Sequence, residues 1–136
     1  MSDYILVLSL EIDHEKGKIL PCLHTIAADD TLQELRRIIG CDLVTCTEVE
    51  VGGKLYDVWS DDEGLLVEKP VPTLYISDDL VLFGSLVFAT NNESETAGLE
   101  QADVARLLLY LDRQAKELDR WFLRQSLRPV SNKQAG

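Results

Sequence analysis

Two adjacent glycines, Gly52 and Gly53, constrain the fold more than any other feature of the sequence. The segment before them is LVTCTEVEV and the segment after them is KLYDVWS, both rich in residues that favour strands. Glycine accepts the positive φ angles that a two-residue turn between antiparallel strands requires. The sequence therefore predicts a β-hairpin centred on this pair.

Further strands are predicted on both sides of this hairpin. Residues 4–12 place Tyr4, Leu6, Leu8, Leu10 and Ile12 on one face with the period of a strand, and ILPCLHTI is expected to return beside them. Pro21 places that second strand at a sheet edge or at a bulge, because proline cannot donate to a ladder. LLVEK predicts a short strand after a hairpin turn at SDDEG. DLVLFGSLVFAT predicts one buried strand with a bulge or a close backbone approach at Gly84.

Two helices complete the set of predicted elements. DDTLQELRRIIG predicts a short helix with an N-cap at Asp30 or Thr31 and a C-terminal glycine at Gly40. A second helix over residues 99–124 carries an apolar stripe, which either covers the sheet or pairs with a second copy of the chain as a homodimer. The predicted stripe consists of Leu99, Val104, Leu107, Leu108, Leu111, Ala115, Leu118 and Phe122.

These elements predict an α+β fold, with a mainly antiparallel sheet of about five or six strands, one short helix and a long C-terminal helix. The helices are expected on one side of the sheet. We predict a single domain over residues 1–124, made of a body (1–90), a linker (91–98) and the C-terminal helix (99–124). Residues 125–136 are predicted to be a flexible tail.

The charge of the chain limits the partners that it can bind. The formal net charge is -11, and residues 1–98 carry 19 acidic against 6 basic side chains. Such a body repels phosphate backbones, so we expect no direct binding of nucleic acid and favour a basic protein as partner. No apolar run is long enough to span a membrane, and the N-terminus lacks the basic segment of a signal peptide. We therefore expect a cytoplasmic protein with no membrane partner.

Three acidic turns are the candidate contact residues, since their carboxylates together can imitate the phosphates of a nucleic acid. Trp59 and Trp121 are candidate aromatic anchors for the same partner. One aromatic residue of KLYDVWS is expected in the core and the other at the surface. The acidic turns are Asp29 and Asp30; Asp61, Asp62 and Glu63; and Asp78 and Asp79.

The sequence offers little catalytic chemistry. Cys22 and His24 share a strand face and form a conceivable thiol–imidazole pair, but no third group or oxyanion hole is evident. SDDEG lacks the alternating ligands of a calcium loop, and no phosphate-binding loop is present, so no metal or cofactor is predicted. The three cysteines have no metal-site spacing and are expected to be reduced thiols. A non-enzymatic protein is therefore favoured over a small cysteine-dependent enzyme.

Three segments, TLQELRRIIGCDLVTCTEVE, SDDEGLLVEKP and DDLVLFGSLVFA, together resemble a family of uncharacterised small domains carried by phages and conjugative elements. TLQELRRIIGCDLVTCTEVE is similar to that family's LQxL helix, which ends at a hydrophobic residue and a glycine before a strand. SDDEGLLVEKP resembles its acidic-acidic-Gly-Leu turn, and DDLVLFGSLVFA resembles its strand of an aspartate followed by hydrophobic residues around a glycine. Cys41 stands where the family usually has a second glycine, and the C-terminal helix is longer. The resemblance implies an accessory protein of a mobile element, expressed in a bacterial cytoplasm, and it implies no catalytic residues.

Two functions follow as hypotheses. The first is an acidic accessory protein that inhibits a host defence complex by occupying its basic nucleic-acid-binding surface. The second is a sponge that sequesters a small signalling nucleotide, which would require basic residues such as Arg36, Arg37 and Arg106 to converge.

Overall fold

The computed structural model describes residues 3–13, 15–16, 18–66, 70–92 and 95–126. They form eight strands, two α-helices and one 3₁₀ turn, and their α+β composition confirms the predicted fold class. The strands are β1 (Tyr4–Asp13), β2 (Lys18–Ala27), β3 (Val44–Val51), β4 (Lys54–Asp61), β5 (Pro72–Ser77), β6 (Leu80–Phe83), β7 (Leu86–Asn92) and β8 (Glu95–Ala97). The helices are α1 (Thr31–Ile39) and α2 (Gln101–Ser126).

Six of the strands form one antiparallel sheet with the order β2-β1-β7-β4-β3, in which β8 pairs with the end of β7. Strand β7 therefore lies between two hairpins that precede it in the chain. Strands β5 and β6 form a separate two-stranded sheet. Within the described residues, β2 and β3 are the two edge strands of the large sheet.

The two helices pack on opposite faces of the sheet, so the prediction of helices on one side was wrong. Side chains of β1 and β7 alternate between the faces: Val7 and Val87 pack with α1, whereas Leu8 and Phe88 pack with α2 and the β5–β6 hairpin. The cause is the large apolar content of the central strands, which leaves both faces in need of cover. We call the two faces the α1 face and the α2 face.

The local predictions at Gly40, Gly52, Gly53 and Pro21 are confirmed. Gly52 and Gly53 have φ angles of 60° and 82° and join β3 to β4 in a two-residue turn. Gly40 ends α1 in the left-handed region and donates its N–H to Arg36. Pro21 lies in the edge strand β2, opposite Leu10 in an unbroken register, so it marks an edge and not a bulge.

Three predicted segments differ in the structure. LLVEK begins with a 3₁₀ turn (Gly64–Leu66) rather than a strand, so SDDEG ends β4 and does not turn a hairpin; residues 67–69 lie outside the described residues. The apolar run around Gly84 is two strands, β6 and β7, which belong to different sheets. The segment 91–98, predicted as a linker, contains β8 and the end of β7. The two apolar segments were too short for their periodicity to specify the partner strand, and the polar segment 91–98 has no apolar alternation.

Helix α2 packs on the sheet largely through the predicted stripe, since Leu99, Val104, Leu107, Leu111 and Leu118 face the core, whereas Leu108, Ala115 and Phe122 are exposed. Its buried residues include Asp103, Leu107, Gln114 and Leu118, whereas Phe122 is half exposed. Two polar residues of the buried face, Asp103 and Gln114, accept hydrogen bonds from Tyr56 and from the backbone of Tyr75. The helix reaches Ser126, and the rest of the predicted tail, residues 127–136, lies outside the described residues.

Candidate acidic binding site on strands β3 and β4

The three predicted acidic turns do not form one surface. Asp29 and Asp30 follow the end of β2, and Asp61 is the last residue of β4. Strands β2 and β4 run in opposite directions, because three successive antiparallel pairings separate them. Their carboxyl ends, and the two acidic turns, therefore lie at opposite ends of the sheet.

The third predicted turn is engaged within the molecule. Asp78 Oδ1 accepts hydrogen bonds from Tyr75 Oη and from Arg124 Nη2, both at 2.8 Å. These contacts lower the pKa of Asp78, with the Tyr75 hydrogen bond as the main favourable cause. Asp78 therefore joins the β5–β6 turn to the end of α2, and its neighbour Asp79 is exposed.

The two tryptophans pack against their own protein. Trp59 lies on the α1 face within the cluster around α1, while Tyr56 is fully buried on the α2 face. Tyr56 is therefore the predicted core aromatic, whereas Trp59 is half-buried against α1 rather than at the surface. Trp121 of α2 meets Phe83 edge-on at 6.4 Å between ring centroids, and it also meets Phe122 at 5.3 Å. Trp121 thereby attaches β6 to α2.

Four acidic side chains lie instead on the α1 face of β3 and β4. Along each strand, side chains alternate between the two faces of the sheet. None of the side chains that β3 and β4 place on the α1 face is basic. Strand β3 contributes Val44, Cys46, Glu48 and Glu50, and β4 contributes Leu55, Asp57, Trp59 and Asp61. We call Glu48, Glu50, Asp57 and Asp61 the acidic face.

Asp57 and Glu48 form the centre of this face. They are direct cross-strand partners, so two like charges stand opposite each other. Asp57 is only 7% exposed, and its Oδ2 accepts a hydrogen bond from Asn91 Nδ2 at 3.3 Å. Among the described residues it forms no ion pair. Burial of a carboxylate without a cation is costly unless hydrogen bonds satisfy it, and Asn91 supplies one such bond.

A shallow depression of about 390 Å³ extends the acidic face at the end of β4. Asp42, Asp61 and Glu63 line it together with Cys41, Leu43 and Leu66. Asp61 Oδ1 accepts the backbone N–H of Glu63 at 2.9 Å, which holds the turn beside the depression. Part of the predicted acidic turn at residues 61–63 therefore joins the acidic face.

The thiol of Cys46 responds to the negative charge of this surface. Burial raises the pKa of Cys46, and the Asp57 and Glu48 carboxylates raise it further, to about 11. The pKa of Cys41 also rises to about 11, through burial and the neighbouring Asp61 and Asp42. The raised pKa of both thiols favours their protonated form at neutral pH.

The basic side chains proposed for a nucleotide site do not converge. Arg36 and Arg37 belong to α1 and line a second depression beside Cys41 and Asp42. Arg37 pairs with Glu34 at 2.9 Å, and Arg36 donates to Gln33 at 3.2 Å. Arg106 belongs to α2, on the other side of the sheet, where Asp103 and Tyr56 bind its guanidinium group.

Asp103 has the partners that Asp57 lacks. Its Oδ1 accepts hydrogen bonds from Lys54 Nζ at 2.8 Å, Tyr56 Oη at 2.6 Å and Arg106 Nη1 at 3.1 Å. Its Oδ2 accepts the backbone N–H of Glu100 at 2.8 Å, at the start of α2. Burial opposes ionisation, but these donors, led by Lys54, outweigh it and lower the pKa of Asp103 to about 2. We call these four side chains the Asp103 cluster.

The predicted pair Cys22 and His24 lies on the α1 face beside Ser9 and Glu11. His24 Nε2 contacts Glu11 Oε2 at 2.7 Å and Ser9 Oγ at 3.2 Å, and Ser9 Oγ donates to Glu11 Oε2 at 2.5 Å. Burial and the Glu11 carboxylate raise the pKa of Cys22. This arrangement stabilises the Glu11 carboxylate and favours the protonated thiol.

Glu48, Glu50 and Asp57 were not predicted from the sequence as site residues. Their pairing could have been predicted from the hairpin, because a two-residue turn at Gly52 and Gly53 fixes which residues of the two strands lie opposite each other. Counting back from Val51 and Lys54 places Glu48 opposite Asp57. The predicted acidic residues all lay in turns, where an aspartate already has a structural role. A like-charged pair on neighbouring strands is unfavourable and has no such explanation.

No family model, curated protein or solved structure matches this chain. The resemblance to small domains of phages and conjugative elements therefore stays a prediction. No group of three or more potential metal ligands occurs within the part of the chain that the structure describes. In the same residues, no helix is long and apolar enough to cross a membrane.

Proposed function

We propose that the protein is a non-enzymatic accessory protein of a phage or another mobile element, which inhibits a host defence complex by covering a basic nucleic-acid-binding surface. It would act in the bacterial cytoplasm. The observation that carries the proposal is the buried Asp57 carboxylate opposite Glu48, on two strands that place no basic side chain on the α1 face. A cationic partner would supply the charge that this pair lacks.

The surroundings of this pair support a protein partner over a small cation. The carboxylates extend along two strands and into the depression lined by Asp42, Asp61 and Glu63, and they do not converge on one point. A spread of carboxylates along a surface is suited to a row of lysines or arginines, such as those that line a nucleic-acid groove.

The acidic face can be tested by capture of proteins from a bacterial lysate. The wild-type protein and a Glu48→Gln, Glu50→Gln variant are immobilised, and the captured proteins are identified by mass spectrometry over a range of salt concentrations. We expect wild type to capture a basic nucleic-acid-binding protein that is released as salt rises, because screening weakens contacts between charges. The purified protein should then displace DNA or RNA from that partner in a gel-shift assay.

A matched variant, Asp29→Asn with Asp30→Asn, removes the same amount of charge at the other end of the sheet. This variant should capture the partner as wild type does. Equal losses in the two variants would show that only net charge matters, and a partner that binds nucleic acid unhindered in the complex would contradict the proposed inhibition.

A further inference from the structure

The two edges of the large sheet differ in their capacity to accept another strand. Strand β2 carries Pro21 opposite Leu10 in an unbroken ladder. Because proline has no N–H, its nitrogen has to face the free edge, where it removes one donor in the middle of the strand. Edge strands of natural proteins carry such prolines, which prevent pairing with other chains.

Strand β3 contains no proline, lysine or arginine, and its outer edge is unpaired within the described residues. Val51 and Lys54 flank a two-residue turn and therefore form a hydrogen-bonded pair. Backbone groups of odd-numbered residues in β3 then point to β4. The N–H and C=O groups of Cys46, Glu48 and Glu50 point to the free edge, where all three residues are exposed.

We propose that the free edge of β3 binds an extended basic segment of the partner protein as an added antiparallel or parallel strand. This inference rests on the proposed function and specifies how the partner is held. An added strand pairs its backbone with that of Cys46, Glu48 and Glu50. Its alternate side chains then lie about 5 Å from Glu48 and Glu50, on the acidic face, where lysine or arginine is favoured.

Charge decides between a basic segment and a second copy of β3. Two β3 strands from two copies of the chain would bring the glutamates of both copies onto the same face of a joined sheet. Like charges opposite one another destabilise a strand pair. A segment in which basic residues alternate with threonine or valine avoids this repulsion. Its threonine or valine side chains would lie beside Thr45 and Thr47 on the α2 face, where such neighbours are favoured.

The experiment uses a synthetic peptide in which lysine alternates with threonine and valine, and the full-length protein labelled with ¹⁵N. We expect the peptide to bind at low salt and to slow hydrogen exchange at the amides of Cys46, Glu48 and Glu50. Amides of Thr47 and Val49 are already bonded to β4 and should change little. A peptide of the same sequence, N-methylated at the amides that face β3, should bind at least about tenfold more weakly.

The matched protein variants are Cys46→Pro and Cys46→Ala. Both keep every carboxylate, and Cys46→Pro removes one outward N–H without breaking a bond to β4. We expect Cys46→Pro to weaken peptide binding about tenfold and Cys46→Ala to leave it unchanged. A peptide that fails to bind, or that binds without added protection of the three amides, would overturn the strand-addition inference.

The failure of this inference differs from a failure of the proposed function. If Glu48→Gln, Glu50→Gln weakens binding while Cys46→Pro and the N-methylated peptide bind normally, the carboxylates bind the partner but no strand is added. If the glutamine variant binds as wild type does, the acidic face itself is not the site. Exchange protection in the wild-type protein decides the question even if Cys46→Pro does not fold.

Discussion

Two buried aspartates lie on opposite faces of the sheet and differ in what surrounds them. Asp103 is 2% exposed and contacts Lys54, Tyr56, Arg106 and a backbone N–H. Asp57 is 7% exposed, has an amide donor in Asn91 and faces Glu48. The first carboxylate is compensated within the molecule and holds α2 to β4. The second has hydrogen bonds but no ion pair among the described residues, so the comparison separates a charge that is paired with cations within the molecule from one that is not.

Loss of Asp103 should have the largest effect on stability. Asp103→Ala leaves the buried hydroxyl of Tyr56 and the side chains of Lys54 and Arg106 without their common acceptor. We expect a loss of about 3 kcal/mol in the free energy of unfolding, at the low end for a broken buried pair, because Lys54 and Arg106 are partly solvated. Urea denaturation measures this loss, and Asp112→Ala on the exposed side of α2 is the control. A loss no larger than in the control would show that the Asp103 cluster is not structural.

The contribution of Asp103 should also depend on pH. Its pKa is lowered from 3.8 to about 2 in the folded protein, so the folded state favours the ionised form. The resulting stabilisation, about 2 kcal/mol, is present above pH 4 and is lost as the pH falls through 2. The difference in unfolding free energy between wild type and Asp103→Asn should therefore shrink between pH 5 and pH 2. A difference that is independent of pH would contradict the lowered pKa.

Asp57→Asn should act in the opposite direction to Asp103→Ala. It removes the repulsion with Glu48 and keeps a side chain that can bond to Asn91, so we expect a gain of about 1 kcal/mol in unfolding free energy at low salt. Glu48→Gln should give a similar gain, and the double variant should gain less than the sum, which a double-mutant cycle measures. Both single variants should bind the partner more weakly. A clear destabilisation by Asp57→Asn would mean that the carboxylate is compensated after all.

The smallest expected effect is on the Cys46 thiol, which senses the same charge. Because burial and Asp57 hold the pKa of Cys46 at about 11, Asp57→Asn should lower it. Alkylation by iodoacetamide, followed by mass spectrometry at each cysteine over a range of pH, reports this change. Cys41, whose pKa is raised by burial and Asp61, provides an internal control. An unchanged Cys46 profile would place Asp57 too far away to affect it.

Predictions from the sequence succeeded where the decisive contacts are local. The turn at Gly52 and Gly53, the end of α1 at Gly40 and the edge position of Pro21 depend on the backbone preferences of one or two residues. The fold class followed from the order of such elements. The division at Gly84 was missed because β6 and β7 are both apolar, and period alone does not tell one long strand from two short ones.

The predictions that were wrong depended on contacts between residues far apart in the sequence. The stripe of α2 was assigned by apolar side chains, yet Asp103 and Gln114 lie on its buried face. Their partners, Tyr56 and the backbone N–H of Tyr75, precede them by 47 and 39 residues. The acidic face was partly predictable from the sequence, because the pairing of Glu48 with Asp57 follows from the turn at Gly52 and Gly53. The absence of basic partners for Glu48 and Asp57 among the described residues was not predictable, because it depends on where the tertiary fold places the arginines of α1 and α2.

The position of β7 has a consequence for how the chain folds during synthesis. Both β1–β2 and β3–β4 are hairpins between neighbouring segments and can form soon after they leave the ribosome. They have no direct contact in the sheet until β7 pairs with β1 on one side and with β4 on the other. Residues 86–92 therefore complete the core at a late stage, and we expect a chain that stops before Leu86 to remain two separate hairpins open to chaperones and proteases.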